Sequence, residues 1–414
     1  MALTILLVTI FILITDLAFQ KSLFRLFSLN NKKKLKRNGQ YIFWGISFSI
    51  ILYFIIFIIV EKKSSQPDYI VYRNYFNLSG LFVLIYIPKV IFILFVFIEL
   101  IIRLIANLIH KIKPIPFLAK LSTIKVISGV GILVMLIVFG IILNGIINGK
   151  TNYQTEYVSI SFKNLPKNFN NLKIAQISDM HLGSFKDPKD VRKGIDQLMK
   201  EKPDIIFLTG DLVNNLSIEA KIMLPELKRL KAPLGVYSIL GNHDIGDYRR
   251  WNTIEEKAED FNQLITIQKE AGFILLKNEH QFIKRDNDSI AILGIKSWGK
   301  PPFKQYGILD SAIKGLTPSI FKILLSHNPS HWDVEIAGKN NVDLTLAGHT
   351  HAMQIGINCC KIFWSPIKKM YPHWAGLYHE GTQYLYINRG FGFLGFPGRI
   401  GMTPEITIIQ LKTE

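Results

Sequence analysis

Two runs of this chain are too apolar and too long for an ordinary water-soluble fold. Residues 41–60 read YIFWGISFSIILYFIIFIIV and residues 126–147 read VISGVGILVMLIVFGIILNGII, with no charged side chain in either. About 20 consecutive apolar residues cross a bilayer as a helix, whereas a buried soluble helix is usually shorter and keeps a polar face. Two further stretches, Ala2–Phe19 and Leu78–Ile102, approach or exceed that length. Residues 1–150 therefore read as a transmembrane domain of four helices. The first stretch has no basic leader and no small-residue cleavage site, so it reads as a retained helix rather than a removed signal peptide.

Charge follows the same division. The 414 residues are 49% hydrophobic with a formal net charge of +18. A soluble nucleic-acid binder would account for the charge but not the apolar content, and a disordered chain would be less apolar. Residues 1–150 hold 17 Lys/Arg against 4 Asp/Glu, and residues 151–414 hold 32 against 27. The first interhelical loop carries Lys21, Arg25, Lys32, Lys33, Lys34, Lys36 and Arg37, and the third carries Arg103, Lys111, Lys113, Lys120 and Lys125. In the second, Lys62, Lys63 and Arg73 are partly offset by Glu61 and Asp68. Basic loops stay cytoplasmic, so the residues after 150 are expected outside the cytoplasm. The basic excess is then a topology signal, and no nucleic acid is expected as a partner.

Three ionisable residues interrupt the spans. Asp16 lies near an end, Glu99 is one helical turn before Arg103, and Lys89 follows Pro88 at mid-span. A transport pathway is the functional reading of such charges, and internal pairing is the structural one. Only two cysteines occur, the adjacent Cys359 and Cys360. That excludes a disulfide framework and a thiolate zinc site. A vicinal disulfide would be strained, so two ordinary thiols are expected.

Residues 151–414 alternate short β-rich runs with helical stretches. YVSISF, LKIAQIS, DIIFLTGD, SIAILGI, FKILLSH, DLTLAGH, QYLYIN and EITIIQL read as strands, with amphipathic helices such as DVRKGIDQLMKEKP between some of them. Several strands run into a polar turn: ISDMH, LTGD, ILGNHD, LLSH and LAGHTH. Turns at successive strand ends converge on one edge of an α/β sheet, where such sheets bind ligands. Together these turns supply Asp, Asn and His donors with no sulfur, which suits Mn²⁺, Fe or Zn²⁺.

The ordered series Asp179-Met-His181, Gly210-Asp211, Gly241-Asn242-His243-Asp244, His327 and Gly348-His349-Thr-His351 resembles the calcineurin-like metallophosphoesterase superfamily. Over residues 155–412 it is similar to the membrane-anchored bacterial branch. The resemblance implies an α/β fold, a four-layer α/β/β/α sandwich over residues 151–414 preceded by the four-helix bundle. It implies two divalent metal ions. Asp179, His181 and His351 would bind the first, Asp211 would bridge both, and Asn242, His327 and His349 would hold the second. His243 would sit over the scissile phosphate and stabilise charge or protonate the leaving oxygen. Relatives often carry an aspartate three residues after the bridging one, to orient that histidine. Here the position is Asn214, whose amide oxygen would stabilise an imidazolium less than a carboxylate would.

Arg389, after a strand, could meet a substrate phosphate as a bidentate fork. A structural arginine is the other reading. The aromatic residues Phe391, Phe393 and Phe396, with Trp364, Tyr371 and Trp374, read either as core or as a rim contacting lipid. The expected activity is hydrolysis of a phosphate monoester, diester or pyrophosphate, with a lipid-linked or envelope substrate favoured by membrane tethering. The contrasting class is a transporter or receptor with a non-catalytic module.

Overall fold

The computed structural model describes residues 2–27, 33–63, 68–117, 125–301 and 304–414. Lys32 and Lys120 of the basic loops lie outside the described residues. The chain divides into two compact units, one of residues 1–64 with 77–144, the other of residues 65–76 with 145–414.

The first unit is helical: α1 (Ala2–Leu26), α2 (Lys33–Lys63) and the larger parts of α3 (Tyr69–Ile112) and α4 (Val126–Ile147). Each helix contains a stretch long and apolar enough to cross a membrane. Apolar side chains such as Leu6, Ile14, Leu94, Phe97, Leu133 and Leu136 are exposed, as expected where lipid is the solvent. The third helix is longer than its sequence signal. Its 44 residues span about 66 Å at 1.5 Å per residue, so it outreaches a hydrocarbon core of about 30 Å. Its first turns, Tyr69–Phe76, group with the second unit.

The charges inside the helical unit pair internally. Lys89 meets Asp16 at 2.6 Å, Tyr86 donates to the same carboxylate at 3.2 Å, and the ammonium lies over the rings of Phe19, Phe43 and Tyr86. Glu99 pairs with Arg103 at 2.8 Å and accepts from the Ser128 backbone N–H at 2.8 Å.

The second unit is built on two six-stranded sheets. One has the order β1-β14-β2-β3-β4-β5: Gln154–Phe162, Glu405–Thr413, Lys173–Ile177, Ile205–Leu208, Val236–Ser238 and Phe273–Leu275. The other has the order β12-β13-β9-β8-β7-β6: Gly376–Glu380, Gln383–Ile387, Leu344–Ala347, Phe321–Leu325, Asp288–Gly294 and Glu279–Arg285. β2 to β5 run parallel, as do β13, β9, β8 and β7. A separate hairpin joins β10 (Ile357–Cys359) to β11 (Ile362–Trp364).

Strand alternation sorts side chains into layers. Ile205 and Phe207 of β3 join Ile290, Ile292, Ile323 and Leu325 between the sheets. Ile206 and Leu208 point the other way, onto α5 (Pro188–Lys200), α6 (Ser217–Leu227) and α7 (Ile254–Glu270). Ala291, Leu293 and Leu324 face Leu309 and Ala312 of α8 (Leu309–Ile313) and the turn at Trp332 and Ile336. This is the α/β/β/α order. Local signals set the helix starts: Asp187 accepts from Lys189 N–H before Pro188, and Thr253 accepts from Glu256 N–H.

Candidate metal centre

Each residue expected at the site comes from a turn after a parallel strand, Asn214 lying three residues beyond Asp211 and Arg389 following β13. Asp179 and His181 follow β2, Asp211 follows β3, Asn242 and His243 follow β4, His327 follows β8, and His349 and His351 follow β9. The carboxyl ends of strands from both sheets thus supply one site. These turns are backbone-strained. Asp179, His181, Asp211, His349 and His351 all have φ between 45° and 71°, a conformation that costs a non-glycine residue about 1–2 kcal/mol. Glycine is required beside them: a Cβ on Gly241 would meet the Asp211 carboxylate, and one on Gly348 would meet Asp179 and Ser178.

Two donor groups result. Asp179, His181 and His351 each place a ligand atom within 4.8 Å of the others, and so do Asp211, His327 and His349. His181 Nε2 lies 3.0 Å from His351 Nε2, and His327 Nε2 lies 3.3 Å from His349 Nδ1. His351 Nε2 is 3.2 Å from Asp179, and His327 Nε2 is 3.1 Å from Asp211. Asp211 also faces the first group, 3.7 Å from His181 Nε2. Donors on adjacent corners of an octahedron with metal–nitrogen bonds near 2.1 Å would stand about 3.0 Å apart. Spacing and donor chemistry therefore both fit a pair of divalent cations.

The supporting shell aims these ligands. His327 Nδ1 donates to the Thr209 carbonyl at 2.8 Å, which leaves Nε2 for Asp211. His349 Nε2 lies 2.9 Å from Tyr371 Oη. Asp179 accepts from His349 N–H at 3.0 Å, and Asp211 accepts from His243 N–H at 2.9 Å. Asp244 ties the Asp211 and His243 turns together by accepting from Leu212, Val213 and Gly241 N–H. Glu219 accepts from Gly183, Asn214, Asn215 and Leu216 N–H.

A scan against protein families matches residues 172–353 to the family described as "Calcineurin-like phosphoesterase" and residues 1–150 to "Probable Calcineurin-like phosphoesterase, transmembrane domain". The metallophosphoesterase YkuE of Bacillus subtilis is 32% identical over 256 residues, 60% of this chain and 82% of that protein. The chain is a calcineurin-like phosphoesterase. A bovine transmembrane protein with metallophosphoesterase domain is 27% identical over 62% of this chain and 56% of its own length. The UDP-2,3-diacylglucosamine pyrophosphatase LpxG of Chlamydia trachomatis is 29% identical over 61% of this chain and 88% of its own.

Burial and mutual charge set the electrostatics of this phosphoesterase. Burial alone would lower the pKa of His327, but Asp211 and Asp179 outweigh it and raise the imidazole to about 10. His349 is driven down to about 3 by burial and by the neighbouring His327. Burial pushes Glu219 up to about 7 against the pull of its four N–H donors.

Two expectations change. His243 Nδ1 is bonded to the Asn214 backbone carbonyl at 2.7 Å, while the Asn214 side chain is bonded to Ser184 Oγ. The orienting acceptor is therefore the main chain, whose acceptor does not depend on side-chain identity. A carbonyl only accepts, so Nδ1 carries a proton. Arg389 does not reach out as a substrate fork. Its guanidinium is buried between Glu156 at 2.6 Å and Glu405 at 2.7 Å, beside a cavity of about 310 Å³.

Arg399 was missed by the sequence reading. It is buried, and desolvation followed by repulsion from Arg389 lowers it to about 9. It donates to the carbonyls of Arg389, Gly390 and Gly392, and its Nη2 lies 3.3 Å from His351 Nδ1. Its one signal was position, a lone arginine after a glycine- and aromatic-rich run. Of the aromatic residues, Phe391, Phe393 and Trp374 are core, and Trp364 is exposed.

Proposed function

We propose that this membrane phosphoesterase hydrolyses a phosphate ester or pyrophosphate bond of a lipid-linked substrate on the extracytoplasmic side. One observation carries the catalytic part: two Asp/His donor groups stand side by side, with Asp211 facing both. In this reading Asp179, His181 and His351 hold one ion, Asn242, His327 and His349 the other, and Asp211 bridges. Mn²⁺, Fe and Zn²⁺ all suit the donors. When bound, two such cations neutralise phosphoryl oxygens and lower the pKa of attacking water.

The chain's own residues supply the rest. His243, held through Nδ1 by the Asn214 carbonyl, presents Nε2 as the proton-carrying nitrogen for the leaving oxygen. Its ring stands 5.0 Å from His181 and 4.6 Å from Tyr248, which fixes its tilt. Tyr248 also accepts from the Asn242 amide at 3.0 Å, tying the side chain of an expected ligand to the same wall.

The lipid-linked class is supported by the four spans and by LpxG, whose name specifies a diacylglucosamine pyrophosphatase. The outward side rests on the loop charges. It is also supported by the grouping of Tyr69–Phe76, the first turns of α3 after the second loop, with the catalytic unit. The transporter reading loses its footing because Asp16, Lys89 and Glu99 are paired within the helices.

The test is a screen of the metal-loaded full chain against lipid phosphates, lipid pyrophosphates, nucleotides and bis(p-nitrophenyl) phosphate, with Asp211→Asn as control. Hydrolysis of a lipid phosphate or pyrophosphate, lost in the variant, is the expected result. Turnover confined to soluble nucleotides would overturn the substrate class, and equal rates for variant and wild type would overturn the site.

A further inference from the structure

The hairpin β10–β11 carries an exposed apolar face. Its pairing sets Ile357 opposite Trp364, Asn358 opposite Phe363 and Cys359 opposite Ile362. Opposed residues share a face and successive ones alternate. Asn358 and Phe363 therefore form one face, on which Phe363 stacks on buried Trp374 at 4.7 Å while remaining 43% exposed. Ile357, Cys359, Ile362 and Trp364 form the other, with Ile357 44%, Ile362 54% and Trp364 42% exposed. A hairpin of this size is marginal in water by itself. Its turn adds strain, because Cys360 and Lys361 both take φ values, 53° and 69°, at positions that Asn-Gly usually fills.

The surroundings continue the pattern. Nearby in the chain, Met353 and Met370 are 49% and 72% exposed, and Lys361, Lys368 and Lys369 are exposed. No Asp or Glu occurs between residues 344 and 379. Apolar side chains, an interfacial tryptophan and lysines with no acid among them complement an anionic lipid surface. The four spanning helices of the same chain hold it at a bilayer. The base of the hairpin is bonded to the metal-site turn. Ser365 Oγ donates to the Ala352 and Ile355 carbonyls at 2.7 and 3.0 Å, and Thr350 Oγ1 donates to the Trp374 carbonyl at 2.6 Å.

We propose that the Ile357/Cys359/Ile362/Trp364 face is an interfacial anchor that enters the headgroup boundary of an anionic bilayer and holds the His349–His351 turn at the lipid surface. The anchor extends the reading of a lipid-linked substrate but is measured without any substrate, so the two can fail separately.

Cys359 lies on the face itself. Cys360→Ser leaves Cys359 as the sole cysteine, and a spin label there in the full chain, in nanodiscs of phosphatidylglycerol or phosphatidylcholine, reports depth. Protection from a water-soluble nickel chelate and exposure to oxygen are expected in the anionic discs. The label should move outward in the neutral discs and in the Lys361→Glu/Lys368→Glu/Lys369→Glu variant. A label open to the nickel chelate in both disc types overturns the anchor. Dipolar broadening that disappears on dilution with unlabelled chain also overturns it, since the occupant is then a second copy. In parallel, Ile362→Ser/Trp364→Ser should lower turnover of a lipid phosphate in vesicles by about tenfold or more and leave bis(p-nitrophenyl) phosphate hydrolysis unchanged. Equal loss on both substrates overturns the anchor in favour of a structural hairpin.

Discussion

In the helical unit, Asp16 faces the Lys89 ammonium at 2.6 Å, with Tyr86 adding a hydrogen bond. In the catalytic unit, imidazole nitrogen faces imidazole nitrogen, at 3.0 Å between His181 and His351 and 3.3 Å between His327 and His349. Both clusters are buried, and they satisfy their polar atoms in opposite ways. An acid against a base is complete as it stands. Donors of like kind turned toward one another leave room for a cation between them. Arg389, closed off by Glu156 and Glu405, belongs with the first kind although it lies in the catalytic unit. The teaching is that a buried cluster marks chemistry where several lone-pair donors converge, rather than where one acid is closed by one base.

That contrast can be broken most directly at Asp211. Asp211→Asn should abolish bis(p-nitrophenyl) phosphate hydrolysis and lower bound metal measured by elemental analysis, because the residue faces both donor groups. Chelation of the wild type should do the same and be reversed by Mn²⁺. Retained activity in either case would place Asp211 among the merely paired carboxylates.

His243→Ala should lower kcat by about 10²- to 10⁴-fold while metal content stays unchanged, since His243 contributes only its backbone N–H to Asp211. The loss should shrink for esters with good leaving groups, which need no proton. A fall in metal content equal to the fall in rate would move His243 into the ligand set.

The helical cluster predicts a stability effect instead. Lys89→Met leaves Asp16 buried without its base and should cost about 3 kcal/mol, read as a lower Tm in detergent. The pair Asp16→Asn/Lys89→Met should recover most of that, with hydrolysis per folded molecule unchanged throughout. A change in specific activity would reopen a functional role for the membrane charges.

Tyr371→Phe removes the hydroxyl 2.9 Å from His349 Nε2 and should weaken metal affinity or rate by about tenfold. The smallest effect is expected at Asn214. Asn214→Ala keeps the carbonyl that holds His243, so the pH–rate profile should not move. Stability should fall by about 1–2 kcal/mol, from the lost partner of Ser184. A displaced profile would restore the side chain as the orienting group.

The six Asp and His donors that gather in two groups were legible because each belongs to a short polar motif directly after an apolar strand, so chain order and strand polarity bring them to one edge. The membrane spans were legible because lipid tolerates little besides apolar side chains, which makes composition nearly sufficient. Asn214 and Arg389 were not, and the reason is shared. Which atom of Asn214 meets His243 depends on the path of the turn after Asp211, which Glu219 holds by accepting main-chain N–H groups. Whether Arg389 reaches outward depends on Glu156 and Glu405, and Glu156 is 233 positions away in the chain. Arg399 was silent for the same cause, as its partners are main-chain carbonyls of a turn that exists only once folded.

By itself the sequence determined which stretches are long and apolar enough to span lipid, which strand ends carry donors, and that those donors lack sulfur. Hydropathy and donor chemistry are properties of single residues and their near neighbours, so they survive without coordinates. Only the tertiary structure decided which charges are already paired, which main-chain group holds His243, and which side chains of the hairpin are left exposed. Pairing, orientation and exposure are relations between residues far apart in the chain, and only packing creates them.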